Sequence, residues 1–219
     1  MFKASTDMSQ TKTFGSSKEK GPQSETLGNA GGQSFVEFAM VLPLMLLMGL
    51  GVIEVAYALY ADHLIAKLAR EGSNLISRQT YIQDAETALL AGSSAPLNLN
   101  SSSGKLIFSA VTIGSSGANN GKIIIIKRRI VGTLTGKSAV DGTTSPPTSS
   151  YNGAPDYTAK DSNNDSAIQG TTTLPNGMVL SSGQVLYVTE VFTNRGDITP
   201  FSRFYKWALP TSLYAAAFF

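Results

Sequence analysis

The sequence contains no cysteine, and this absence excludes thiol catalysis, thiolate metal sites and disulfide bonds. Histidine is almost absent as well: His63 is the single one in 219 residues, which excludes a zinc site built from several histidines. The sequence also has no large excess of either charge: it contains 17 Lys and Arg and 15 Asp and Glu, which gives a formal net charge of +2. A balance so close to neutral does not indicate a nucleic-acid partner.

Catalytic motifs are missing too. The sequence has no G-x-S-x-G element, no phosphate-binding loop and no zinc-ligand spacing. Asp62 and His63 are neighbours, but they follow an apolar run directly and no nucleophile motif occurs elsewhere. We therefore predict that the protein is not an enzyme and that it uses no metal and no cofactor.

Two short segments resemble metal-binding loops only in part. Residues 161–165, DSNND, start like a calcium loop, but Ser166 replaces the turn glycine and Thr172 stands where a bidentate glutamate is needed. A polar turn is the simpler interpretation, with calcium binding as the alternative. Residues 141–145, DGTTS, resemble a metal-ion-dependent adhesion motif. That motif needs a buried strand before its aspartate, and the preceding TGKSAV is not one.

A long apolar run occupies residues 38–61, in which Glu54 is the only charged side chain. A helix rises ~1.5 Å per residue, so a run of this length can cross a hydrocarbon core about 30 Å thick. We predict a transmembrane helix over residues 33–61; the alternative is a buried helix of a soluble protein. Residues 1–32 are polar and rich in Ser, Thr, Gly, Gln and Lys, and we predict that they are disordered.

In residues 62–90 the apolar residues keep a helical spacing, but they lie on only one side of the helix. Apolar residues recur there at spacings of three, four and seven: Leu64, Ile65, Leu68, Leu75, Ile76, Ile82, Ala85 and Leu89. This pattern predicts that the helix continues to Leu90 as an amphipathic helix whose apolar stripe packs on another surface. Gly72, Ser73 and Asn74 are expected to weaken the helix midway.

Residues 91–219 are predicted to form a small antiparallel β domain. Two β-branched runs, 105–113 and 122–131, are separated by GSSGANNG, which predicts a hairpin. Residues 183–194 alternate like a third strand, and residues 201–209 are the expected fourth. The C-terminal tail LYAAAFF is apolar but far too short to span a bilayer. Residues 132–175 are predicted to be a long loop, functional or disordered. The fold class is therefore α+β, one long N-terminal helix packed on a small antiparallel sheet.

The entrance of the apolar run resembles a signal for a prepilin peptidase. In the stretch GGQSFVEF, Gly32 precedes Gln33, and a cut between them places Glu37 at the fifth position of the new chain. The aromatic Phe38 follows, and the hydrophobic span comes next.

The span itself is similar to those of the TadE-like pseudopilins of the tight-adherence (Flp) pilus system. Such chains carry an early acid, a proline about six residues on and a second acid near the end of the span, here Glu37, Pro43 and Glu54. The resemblance covers roughly residues 31–69. It implies a pilin-like fold and a minor pseudopilin, a structural subunit for assembly of a pilus involved in surface adhesion and biofilm formation.

The resemblance also implies processing, partners and location. A prepilin peptidase would remove the leader, residues 1–32, and the new α-amino group of Gln33 would pair with Glu37 of a neighbouring subunit. The implied partners are the peptidase, other pilin and pseudopilin subunits, the inner-membrane assembly platform and membrane lipid. The N-terminus would lie in the cytoplasm and the β domain in the periplasm, although the charges flanking the span do not favour that orientation by themselves.

Glu54 lies ~25 Å farther along the helix than Glu37, near the opposite headgroup region. We expect its side chain to extend to water there. Close to it, AYA at residues 56–58 fits a signal-peptidase site, and a cut after Ala58 would release a secreted or membrane-tethered module that binds a surface. The length of the apolar run and Glu54 just before the cut argue against this alternative.

Overall fold

The computed structural model describes residues 30–93, 97, 99, 102–144, 148–171, 174, 177–196 and 209–219. Of the predicted leader, residues 1–29 lie outside this set, and residues 30–32 belong to the first helix. The described helices are α1 (Ala30–Ser77) and α2 (Ile82–Gly92). The described strands are β1 (Gly104–Ile113), β2 (Ile123–Gly132), β3 (Val185–Asn194) and β4 (Ser212–Phe218).

The chain divides into two compact units, residues 1–45 and residues 46–219. The described part of the first unit is helical, and its side chains from Gly32 onward are exposed. The second unit contains the rest of α1, α2 and the sheet. The α+β prediction, a long N-terminal helix packed on a small antiparallel sheet, is confirmed.

The prediction that one helix runs to Leu90 is wrong, because the chain turns between α1 and α2. Gln79 has a φ of 65° in this turn, a left-handed conformation that interrupts a right-handed helix. Strands of ten residues are ~33 Å long, and residues 54–77 of a helix already cover about that distance. A straight helix to Leu90 would therefore extend past the sheet, whereas the turn lets Ile82, Ala85 and Leu89 enter the same core as α1.

The sheet has four antiparallel strands in the order β2-β1-β3-β4. The predicted hairpin is β1 and β2, with Leu106 opposite Val131, and the third predicted strand is β3. Residues 201–208 of the predicted fourth strand lie outside the described residues, so that strand stays a prediction. The described strand β4 is formed by the C-terminal tail, for which the sequence predicted no strand.

The helices pack on one face of the sheet. The apolar core there joins Ile65, Leu68 and Ile76 of α1 to sheet residues such as Phe108 and Val191. Leu64 and Leu75 pack against its margin, so the predicted apolar stripe is confirmed.

Gly72 and Ser73, expected only to weaken α1, are buried where the helix meets the sheet. A Cβ on Gly72 would lie 2.7 Å from Cγ2 of Thr189. The hydroxyl of Ser73 donates a hydrogen bond of 2.8 Å to the carbonyl of Ala217 in β4. The small residues therefore bring the helix close to β3 and β4, which is a packing role.

The connection between β2 and β3 covers the other face of the sheet. Val140, Tyr151 and Ile168 are buried there in a second apolar cluster with Val111 and Val188 of the sheet. Parts of the connection also bond to the edge of β2, for example the amide of Ala159 to the carbonyl of Ile126 at 2.8 Å. The described residues of the predicted 132–175 loop are thus packed rather than disordered.

Charged side chains are buried beneath this connection, where they form an ion pair or accept hydrogen bonds. Arg128 of β2 lies 3.2 Å from Asp141, and Glu190 of β3 accepts a hydrogen bond of 2.7 Å from the amide of Ala139. The hydroxyls of Ser138 and Tyr214 also donate to Glu190. The opposite charge beside Arg128 and the three donors to Glu190 reduce the cost of burying these two side chains.

Candidate functional site

The candidate site is the apolar part of α1 and the acidic residues that flank it. Except for half-buried Leu50, the large apolar side chains from Phe35 to Ile53 are exposed, with values such as 73% for Phe35, 66% for Met48 and 51% for Ile53. Within the described residues, α1 is the one helix long and apolar enough to cross a membrane. This arrangement fits a single-pass membrane protein, because an exposed apolar surface of that size needs a non-aqueous environment.

The residues of the predicted processing signal lie at the start of α1. The side-chain amide of Gln33 donates a hydrogen bond of 3.1 Å to a carboxylate oxygen of Glu37, one helical turn away. Phe38 is 59% exposed, and a Cβ on Gly32 would meet no atom within 4 Å. Neither sterics nor backbone conformation therefore requires glycine at position 32. The roles of Gly32, Gln33, Glu37 and Phe38 in cleavage and assembly stay predictions.

Pro43 lies inside α1, and the helix continues through it. Proline has no amide hydrogen, so the carbonyl of Ala39 loses the usual helical donor at this position. The described side chains around Pro43 are exposed.

Glu54 differs from the expectation. Its side chain is fully buried, and a carboxylate oxygen lies 3.7 Å from Nη1 of Arg195, which is itself 2% exposed in its side chain. The same nitrogen donates a 3.4 Å hydrogen bond to the backbone carbonyl of Glu54. The expectation that Glu54 extends to water is wrong, because the folded domain covers this face of the helix and supplies a cation.

Arg195 was missed by sequence reasoning. It follows β3 directly and lies 141 positions from Glu54. Nothing in the local pattern of the apolar run indicates which distant residue would cover Glu54. The available signal was the unexplained acid itself, since an ionisable residue within an apolar helix calls for a partner.

The aspartates of the two segments that resemble metal-binding loops make other contacts. Asp141 of the DGTTS segment is paired with Arg128. The Asp161 carboxylate accepts from the amides of Asn163 and Asn164 at 3.0 Å, and these bonds lower the pKa of Asp161. No group of three or more His, Cys, Asp or Glu side chains suited to a metal occurs among the described residues. The DSNND segment is thus built as a polar turn.

One comparison with known proteins gives a match, and it lies in the helical segment. Residues 32–74 match the family model described as TadE-like protein. Over this segment, which we call the TadE-like segment, the chain is similar to that family. The TadE-like segment contains Glu37, Pro43 and Glu54 and ends within α1, so the match concerns the helix and not the sheet. Neither the comparison with curated proteins nor that with solved structures gives a match.

Proposed function

We propose that this TadE-like protein is a minor pseudopilin of a tight-adherence pilus. In this proposal it is anchored by α1 in the inner membrane, with its N-terminus in the cytoplasm and its sheet domain in the periplasm. A prepilin peptidase removes residues 1–32, and the mature subunit joins other pilin and pseudopilin subunits at the inner-membrane assembly platform. The pilus then serves surface adhesion and biofilm formation.

The observation that carries the proposal is the exposed apolar part of α1, which lies within the TadE-like match. Residues 32–49 of α1 are exposed, so the rest of the protein does not cover them. Such an apolar surface is unusual for a soluble domain, but a helix surrounded by lipid or by other apolar helices requires it. Glu37 is the acid at its entrance. A carboxylate in that position is costly alone, and a nearby α-amino group reduces the cost by supplying an opposite charge.

The alternative cleavage after Ala58 is opposed by the packing of α1. Ala58 is 7% exposed and lies on the same buried face as Ala61 and Ile65. Cleavage there would remove Glu54 and leave the buried guanidinium of Arg195 without that carboxylate, which is strongly unfavourable.

Processing is tested by the change Gly32→Ala. Alanine fits the space around residue 32 and favours a helix, so the fold should be unaffected while the peptidase loses its preferred residue. We expect a precursor heavier by the leader to accumulate in cells, measured by intact mass. Gly49→Ala is the matched control, because a Cβ there also meets no atom within 4 Å and position 49 lies away from the cut. Normal maturation of Gly32→Ala would contradict the peptidase assignment.

Assembly is tested by the change Glu37→Ala. The variant should be cleaved after Gly32 and enter the membrane slightly more readily, because a carboxylate has left the apolar edge. It should then stay in the inner membrane, with fewer pili sheared from cells. Glu71→Ala is the control, since Glu71 is an exposed acid of α1 paired only at 3.7 Å with Lys67. A processed and fully piliated Glu37→Ala strain would disprove the role of the carboxylate in assembly.

A further inference from the structure

Glu54 is the first residue of the buried face of α1. The buried residues that follow are Ala58, Ala61 and Ile65, at 7%, 1% and 0% exposure. Their spacings of four, three and four place them with Glu54 on one face of a helix. On this face, full burial by the folded domain therefore begins at Glu54, seven positions before the predicted end of the span at Ala61, with Leu50 half-buried just before it. Val55, Leu59 and Tyr60 lie on the other face and are exposed.

Arg195 reaches Glu54 from a fixed position in the sheet. Its backbone amide donates a hydrogen bond of 2.7 Å to the carbonyl of Thr211, which links the end of β3 to the residue before β4. Its guanidinium contacts both the carboxylate and the backbone carbonyl of Glu54. Two contacts to one residue fix the helix along its axis as well as in rotation, because a shift by one residue would turn Glu54 about 100° away.

We propose that Arg195 is the positioning residue for Glu54 and that this buried ion pair sets the boundary between the membrane segment and the folded domain. The inference rests on the proposed membrane anchorage of α1. The membrane segment then ends at Ile53, and Glu54 belongs to the folded domain rather than to the lipid boundary. Residues 33–53 are still long enough, since a helix of that length spans ~31 Å, close to a hydrocarbon core of about 30 Å.

The pair also changes what Glu54 can do in an assembly. A carboxylate that extended to water could meet a lipid headgroup or a neighbouring subunit. With its side chain fully buried beside Arg195, Glu54 is withdrawn from such contacts, whereas Glu37 is exposed and available. The two acids of the TadE-like segment thus have separate tasks, one within the subunit and one between subunits.

The boundary is tested by cysteine labelling of the full-length chain, which has no cysteine of its own. Met48→Cys and Leu59→Cys are a matched pair, because these side chains are 66% and 67% exposed on the same helix. In open membrane fragments, a charged maleimide should modify position 59 at least tenfold faster than position 48, since a thiol in hydrocarbon does not react. Protection of both positions would place the boundary beyond residue 59 and overturn the inference alone. Rapid labelling of both would overturn the membrane anchorage as well.

The role of Arg195 is tested at Ala58, beside Glu54. A thiol from Ala58→Cys should be protected by the folded domain, and adding Arg195→Ala should raise its labelling at least tenfold, while Arg195→Lys should restore most of the protection. Ala69→Cys, at a site 1% exposed, reports whether the domain remains folded. If Arg195→Ala also exposes position 69, the domain has unfolded and the test is repeated with Glu54→Gln in place of Arg195→Ala. Glutamine keeps the volume of the Glu54 side chain and removes its charge. Unchanged protection of position 58 in the folded variant would overturn the positioning role.

Discussion

The two parts of α1 on either side of Glu54 carry apolar side chains in opposite surroundings. Before Glu54, most large apolar residues are exposed, as at Met40 and Met45 with 74% and 66%, and only Leu50 among them is half-buried. After it, one face is buried by the sheet, and on the other face a short apolar stretch that includes Leu59 is followed by charged residues such as Lys67 and Glu71. The same helical backbone therefore presents a surface suited to a membrane in one part and packs on a protein core in the other, and only the distribution of side chains around the axis distinguishes the two parts.

Matched aspartate substitutions should give the largest effects and separate the two parts. Leu68→Asp places a carboxylate at a site 3% exposed in the apolar core, so the free energy of unfolding of the sheet domain should fall by at least ~3 kcal/mol. Leu46→Asp, at a site 58% exposed, should leave the domain folded and instead weaken membrane insertion by about 3 kcal/mol. Thermal unfolding in detergent and membrane fractionation measure the two effects. A domain that keeps its melting temperature with Leu68→Asp would contradict the packing of α1 on the sheet.

Glycine-to-alanine substitutions should give smaller effects, and these should be opposite in sign in the two parts of α1. Gly72→Ala brings a Cβ within 2.7 Å of buried Thr189 and 3.0 Å of Leu89, so unfolding should become easier by ~1–3 kcal/mol. Gly49→Ala meets no neighbour and removes backbone freedom from a helix, which should favour helix formation by about 0.5–1 kcal/mol. Denaturant unfolding checks the first and helix content in micelles the second. If both Gly72→Ala and Gly49→Ala were destabilising, the two parts of α1 would not differ in packing.

Charge removal on the outer face of the second part should have the smallest effect. Glu71 and Lys67 form an exposed pair at 3.7 Å, with half or more of each side chain accessible. Glu71→Ala should therefore change the free energy of unfolding by no more than ~0.5 kcal/mol. The measurement is chemical denaturation at two salt concentrations. A loss of more than about 1 kcal/mol, twice the expected bound, would show that this face is covered by another part of the folded protein.

The spacing of residues in the sequence was sufficient to predict much of the fold. Helical spacing predicted that Ile65, Leu68 and Ile76 would pack together, and β-branched runs predicted β1, β2 and β3, because both signals arise from neighbouring residues that must share one buried face. The TadE-like segment was also recognisable from its own residues. These features depend on sequence neighbours, which a linear pattern records directly.

Long-range contacts account for what the pattern did not reveal. The end of α1 at Ser77 follows from the length of the sheet beneath it, and β4 forms at Ser212–Phe218 because β3 offers an edge to pair with. The packing of Val140 and Ile168 likewise depends on a sheet face that only the assembled strands create.

The amino-acid sequence by itself determined that α1 is apolar enough for a membrane and that acids stand at Glu37 and Glu54. Only the tertiary structure decided what becomes of the second acid, by bringing Arg195 to it across 141 positions of chain. The physical reason is that a periodic pattern shows which face of a helix is buried, whereas the partner of a buried charge is set by the path of the whole chain. That path places Glu54 in the folded domain and leaves Glu37 exposed at the entrance of the helix.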